Sequence, residues 1–597
     1  MRRPTRIDGY APIEDYAAIG DGRSVGLVAL DGSIDWLCLP AVDAPPVLSG
    51  LLDVNRGGSF FLRPKGPYLV GRRYVDDSNL LETVFSATDG TVKVTEALNM
   101  DGGAQLPWTE LVRRVECIEG EVELEWRLAA RPRWGACEVT TEIRHDVALA
   151  RWDDDAIAVL SYDAGKPKRD GDELHGSFTI QQNAVALLAA LYFDDQPWAA
   201  VPRAELEERL DRTRHYWQTY TREVPYDGPW QKNVRRSVLA QRVLTYEPTG
   251  AIAAAATTSL PEKLGGDRNW DYRFSWIRDT ALALESLLAV RLTVECHRSF
   301  AWVGHAIART MPDLQPMYAL DGSPDLPRED IDFEGWRGTR PVRVGNDAQY
   351  QLQLGGYNDV IDAAYRYCGA GHQLDDKTAT RCAELADEIS KRWRDDDAGI
   401  WEIDPRPYTQ SKVAAWSALH HAVALADEGK LPDDRAKRWK SSRDEIEEWV
   451  EAKGWSDAKG AYVFYPGSDE LDASILLAAR MGYAERHEER FASTIDAIRG
   501  ELSAGPFLYR TTSLKGQEGC FLACSFWLVD ALARGDRLDE ARELMEQLLA
   551  AENDVGLYSE EIDPGDRSFL GNFPQALTHL SLILAAVSVM RAERRAV

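Results

Sequence analysis

The chain has no Cys-x-x-Cys pair, no histidine cluster with metal-binding spacing and no unbroken run of about 18 apolar residues, so no membrane-crossing helix is expected. Each gap removes a class of function. The eight cysteines are scattered at 38, 117, 137, 296, 368, 382, 520 and 524. Cys520 and Cys524 are four apart, which places them on one face of an apolar helix. Further ligands are missing nearby, so they read as two buried thiols and no metal is expected. His420 and His421 sit on a helix beside Trp416 and read as packing or surface residues. There is no P-loop and no Gly-x-Gly-x-x-Gly between a strand and a helix, so no organic cofactor is expected. The start, Met-Arg-Arg-Pro-Thr-Arg-Ile-Asp, has no apolar segment of the signal-peptide kind. Scattered thiols and this start fit a reducing cytoplasm. Positive charge is also short. Lys and Arg number 69 against 97 Asp and Glu, a net charge of −28. That argues against nucleic acid or an anionic membrane surface as a partner. It suits a neutral substrate, and it also serves plain solubility.

What is present is a globular composition, 44% hydrophobic and 28% charged, in a chain too long for one core. Residues 1–202 alternate apolar and polar residues in short runs such as Ser24–Val28, Thr91–Thr95 and Glu121–Trp126. Turn signals at Asp31-Gly32, Asp89-Gly90 and Asp170–Asp172 punctuate them, so a β-sandwich is expected. Residues 203–228 carry charged, helically spaced residues and read as a linker helix. From 229 to 597 the pattern is almost wholly helical. About twelve helical segments begin near 230, 278, 294, 346, 375, 409, 433, 468, 484, 517, 536 and 573, enough for six hairpins closed into a toroid. The segment Pro312–Gly345 is too long for a plain connector and holds Trp336, so it reads as a functional loop.

Three segments of the helical half carry candidate chemistry. Gly265–Asp279 crowds aromatic, Asp, Asn and Arg residues just before a helix. Flat apolar faces beside hydrogen-bonding groups suit a sugar pocket, while a structural loop pinned by an Arg–Asp pair would also explain the crowding. Gly399–Glu402 places a glutamate beside Trp401, where desolvation would raise its pKa as a general acid requires. Ser559–Asp563 holds Glu560 and Glu561, one of which could activate water. Alone, a single glutamate is more often a surface residue and such a turn more often plainly acidic. Two distant carboxylates held by one scaffold are the minimum for glycoside hydrolysis.

Together these segments resemble the glucoamylase and trehalase family of inverting glycoside hydrolases, family fifteen. Ile13–Ser24 and Asp31–Pro40 resemble the amino-terminal β-sandwich domain of its bacterial trehalase-like members. The resemblance covers nearly the whole chain and implies a β-sandwich followed by an (α/α)6 barrel with a pocket at one end. It matches Arg278 and Asp279 to the pair gripping hydroxyls of the terminal glucose. Tyr272 and Trp276 match aromatic wall residues, and Trp401 and Trp336 are added as sugar-binding candidates. Glu402 matches the general acid and Glu560 the general base, with Glu561 a neighbour that orients the base or binds sugar. The carboxyls would stand roughly 6.5–9.5 Å apart with water between them. Glu402 is expected to carry a raised pKa and Glu560 to stay ionised. The chain departs from the family pattern at Ala41–Pro45, at Leu354–Asp359 and at Ile403, where fungal glucoamylases have a second Glu. The catalytic pair is untouched by these changes, but the substrate is left to the loops.

The resemblance therefore implies an exo-acting hydrolase of a small α-glucoside, releasing β-glucose. Trehalose comes first, then maltooligosaccharides, then isomaltodextrins. A phosphorylase on a related barrel would need no water-activating base. A non-catalytic sugar-binding protein would need only the aromatic pocket. Glu560 beside Glu561 argues against both. Self-association is compatible with the sequence, which fixes no stoichiometry.

Overall fold

The computed structural model describes residues 1–596. Its amino-terminal part is a two-layer β-sandwich in which one strand serves both layers. The first half of Thr109–Ala129 pairs with Gly90–Leu98 and Val185–Phe193; the second half pairs with Ser59–Pro64 and Glu173–Gln181, all antiparallel. The alternation seen in the sequence is real where one face meets water: Ser59–Pro64 and Leu81–Ala87 bury every second residue. Val25–Ala29 and Ser33–Cys38 are buried throughout instead. They lie against the helical domain, so both faces are covered.

The helix Arg203–Arg222 is no free linker. Arg209 grips Glu110 of the sandwich, with Nη2 to Oε2 at 2.8 Å, and the Thr213 hydroxyl accepts from the Met100 amide at 2.8 Å.

The helical part is a ring of six hairpins. The inner elements are Ile277–Ala289, Gly355–Gly369, Thr409–Asp427, Ala473–Ala479, Leu522–Arg534 and Ala576–Ala596. Each packs on the next and the last returns to the first. The segment Ala473–Ala479 is 3-10 rather than α. The outer helices are Gln231–Leu244, Thr293–Ile307, Asp376–Arg392, Ala436–Trp449, Glu488–Leu502 and Leu538–Leu549. Their amphipathic sequences bury one face, whereas Leu522–Ala533 is buried on every side. Ala576–Arg595 is long and apolar enough to cross a membrane, with 83% of its apolar window buried inside the barrel wall. The helix expected near 346 starts at Gly355; Asp347–Tyr350 before it is a 3-10 turn.

The two domains meet through buried polar contacts. The Trp36 indole donates to the Ala256 carbonyl at 2.8 Å, Arg72 pairs with Asp554 at 2.8 Å, and the Asn553 amide donates to the Tyr16 carbonyl at 3.0 Å.

Candidate active site

A pocket of about 460 Å³ opens at the amino-terminal ends of the inner helices. Its wall comes from the loops that enter them. Arg278 stands at the start of Ile277–Ala289, Gln351 precedes Gly355–Gly369, Trp401 and Glu402 precede Thr409–Asp427, Phe521 precedes Leu522–Arg534, and Gln575 precedes Ala576–Ala596. Five loops converging on one end of a ring bring residues far apart in sequence to one pocket.

The crowded segment Gly265–Asp279 turns out to serve both roles its composition allowed. Successive residues point to opposite sides. Arg273 is buried, pairs with Asp271 at 2.6 Å, donates to the Ala44 carbonyl at 2.8 Å and lies over Trp36 and Trp134 of the sandwich. Tyr272, its neighbour, lines the pocket. The sandwich thus anchors the segment that aims Tyr272.

Glu402 sits in the pocket in a left-handed backbone conformation, φ 60°. The indole Nε1 of Trp276 donates to its Oε1 at 2.6 Å, and Gln351 holds its carbonyl at 3.2 Å. Burial raises its pKa, with Arg278 and Trp276 opposing. That is the direction a proton donor needs.

Glu560 is buried behind the pocket wall, beside Tyr272. Its Oε2 accepts from the Asn572 amide at 3.2 Å, while its Oε1 has no protein donor among the described residues, leaving a lone pair for water. Gly571, at φ 70°, faces it so closely that a Cβ there would lie 2.4 Å from Oε2, so only glycine fits. Tyr272 faces both carboxylates and stacks edge-on to Trp276, with ring centroids 5.2 Å apart. The aromatic pair separates acid from base. Burial pushes Glu560 up to about 7, against the pull of Arg510 and Tyr272. This corrects the expectation that Glu560 stays fully ionised: Glu518 adds a second negative charge to a dry site. A base must be ionised to work, so its share of active enzyme falls as pH drops through about 7. The expected kcat/KM profile has an acid limb centred near neutrality. A limb centred near the ordinary glutamate value would contradict this environment.

Arg278 lines the pocket, donates to the Ile400 carbonyl at 2.9 Å and pairs with buried Asp279 at 3.2 Å, so Asp279 aims the guanidinium from behind. Trp401 is in the wall, held by Asp472 at 2.7 Å. Glu561 is fully buried behind the wall, accepting from the Gly519 amide at 2.9 Å and facing Arg510 at 3.5 Å. It has no surface for sugar, which corrects its assignment as a binding residue. Trp336 is also corrected. Its indole donates to the Ala11 carbonyl at 3.1 Å and its ring is buried in the domain interface. The loop it belongs to does reach the pocket, but through Arg343, which lies over the Trp270 ring at 4.5 Å.

Sequence reading missed Glu262 and Arg510. Arg510 bonds Glu262 at 2.6 Å and Glu518, and lies over the rings of Trp401 and Phe521. Glu262 is pushed up to about 8 by burial. Neither sits in a local pattern; they are 248 residues apart and meet only in the fold. Arg268 and Trp270 stood inside the segment singled out. Carboxylate oxygens of Glu262, Glu518 and Glu561 lie within 4.8 Å of one another, a spacing that would suit a cation, and Arg510 supplies positive charge there. Cys520 lies on a short strand and Cys524 on the helix after it, both buried free thiols. His420 stacks on Trp416 at 4.8 Å and His421 faces Asp362 at 3.1 Å, a packing role.

Comparison with known proteins agrees along the whole chain. Residues 228–587 match the family described as glycosyl hydrolases family 15, and residues 5–216 match the trehalase-like amino-terminal domain. A protein named trehalase from Thermoplasma volcanium is 33% identical over 589 residues, covering 97% of this chain and 94% of its own. One of the same name from Mycolicibacterium smegmatis is 33% identical over 637 residues, covering 99% and 93%. A bacterial glucoamylase solved with acarbose superposes with a TM-score of 0.74 at 13% identity, over 99% of this chain and 96% of its own, a likeness of fold.

Proposed function

Because this chain belongs to glycosyl hydrolase family 15, we propose that it hydrolyses trehalose with inversion, using Glu402 as general acid and Glu560 as general base. The observation that carries the reading is a pair of glutamates bridged by an aromatic pair: Glu402, in the pocket wall, bonds Trp276, and Glu560 is buried beside Tyr272. Trehalose is favoured by the name of the relatives that align with nearly the full chain. A pocket of about 460 Å³ is in the range of small-molecule sites and suits a short sugar.

In this mechanism Arg278, aimed by Asp279, and the faces of Tyr272 and Trp401 hold one glucose ring. Glu402 gives its proton to the bridging oxygen as the C1–O bond breaks. Water lodged against Glu560 Oε1 attacks C1 from the other face and passes its proton to that carboxylate. Water adds H to one sugar and OH to the other. Eight free thiols support a reducing, cytoplasmic setting.

The test is an NMR time course with trehalose, maltotriose and isomaltotriose in parallel, read before mutarotation. Trehalose should give one β-glucose and one α-glucose per turnover, since only the attacked carbon inverts. Two α-glucose molecules would overturn inversion. Turnover confined to maltotriose or isomaltotriose would move the substrate to those dextrins.

A further inference from the structure

A second cavity, of about 530 Å³, opens where Leu522–Arg534, Glu488–Leu502 and the last helix come together. It lies at the opposite end of the barrel from the catalytic pocket. Phe521 and Gln575 line the pocket at the starts of two inner helices. Arg534 and Arg591 line this cavity thirteen and sixteen residues later along the same helices, about 20 Å away at 1.5 Å per residue.

A buried ion ladder ends in it. Arg366 bonds Asp362 and Glu285, each at 2.6 Å. Arg480 bonds Glu285 and reaches Asp530 at 2.7 Å. Asp530 also holds Arg534 at 3.1 Å and accepts from Ser588. The environment keeps Asp362, Glu285 and Asp530 below the usual carboxylate range, so all three are charged. Three guanidinium groups face three carboxylates and the ladder is balanced. Arg591 stands at its end as a fourth cation with no ion-pair partner among the described residues. Burial and the charges of Arg534, Arg480 and Arg366 push its pKa down. The acids on the cavity wall, Glu485, Glu488 and Asp536, are solvent-exposed, as is Arg591 itself. Phe491, Ile495 and Ala531 give the rest of the wall an apolar face.

We infer that this cavity binds a small organic anion, its acid group on Arg591 and its apolar body against Phe491 and Ile495. The volume is in the range of small-molecule sites, and a guanidinium–anion contact is charge-assisted and directional. Nothing in the catalytic reading requires this site.

The probe is anilinonaphthalene sulfonate, titrated by fluorescence into the full chain. One saturable site is expected. Arg591→Glu should weaken it by roughly tenfold or more, since a charge-assisted bond becomes a repulsion. Ala492→Trp, at an exposed wall position, should block it by filling the cavity. Far-UV circular dichroism checks that both variants fold. Displacement by benzoate or by phenyl phosphate then tells a carboxylate ligand from a phosphate one. No saturable binding at millimolar probe, or equal affinity in the wild type and both variants, overturns the inference.

Discussion

With Glu560 replaced by Gln, kcat on trehalose will fall by roughly 10²–10⁴-fold, the size of a positioned general base. The amide matches the carboxylate in shape, and its oxygen can still accept from the Asn572 amide. It cannot take a proton from water. Because Glu518 and burial already disfavour charge at this position, the neutral side chain removes a strain. The variant should therefore melt no lower than the wild type, and KM should change little. Such a split, large in kcat and absent from stability, marks a group used at the reacting centre. Full activity in this variant would remove Glu560 from the mechanism.

Glu402→Gln should lose a comparable factor on trehalose, but the loss will depend on the leaving group. A sugar alkoxide needs a proton as it departs. Fluoride does not. On α-D-glucosyl fluoride the variant should stay within about tenfold of the wild type, because the step it can no longer assist is not required. Steady-state rates on the two substrates, compared in both variants, separate the roles. Glu560→Gln should be poor on both. Equal losses for Glu402→Gln on both substrates would show that Glu402 binds sugar and donates no proton.

Much of this was legible in the sequence, for reasons that differ by residue. Helical periodicity marked the twelve barrel segments because each inner or outer helix buries a continuous face. The linker helix was visible for the same reason; its packing on Glu110 was not, since a partner 99 residues away leaves no local trace. Arg278, Glu402 and Glu560 were singled out because their motifs resemble those of a known family; the residues alone would as soon have been read as structural. Trp336 was misplaced because an aromatic in a long loop has the same signature facing sugar or facing another domain. The charge state of Glu560 was misjudged because burial raises its pKa, aided by Glu518 and opposed by Arg510 and Tyr272, and burial is set only in three dimensions.

The alternation of Tyr272 and Arg273 constrains how such a protein can change over generations. One residue lines the pocket and the next is locked into Trp36, Trp134 and Ala44 of the other domain. A genetic exchange breaking the chain near residues 203–228 would unite a catalytic half with a sandwich shaped for a different arginine. The misfit would be felt one peptide bond from the chemistry. The two halves are therefore inherited as a matched pair, and lineages that swap one are expected to have swapped both.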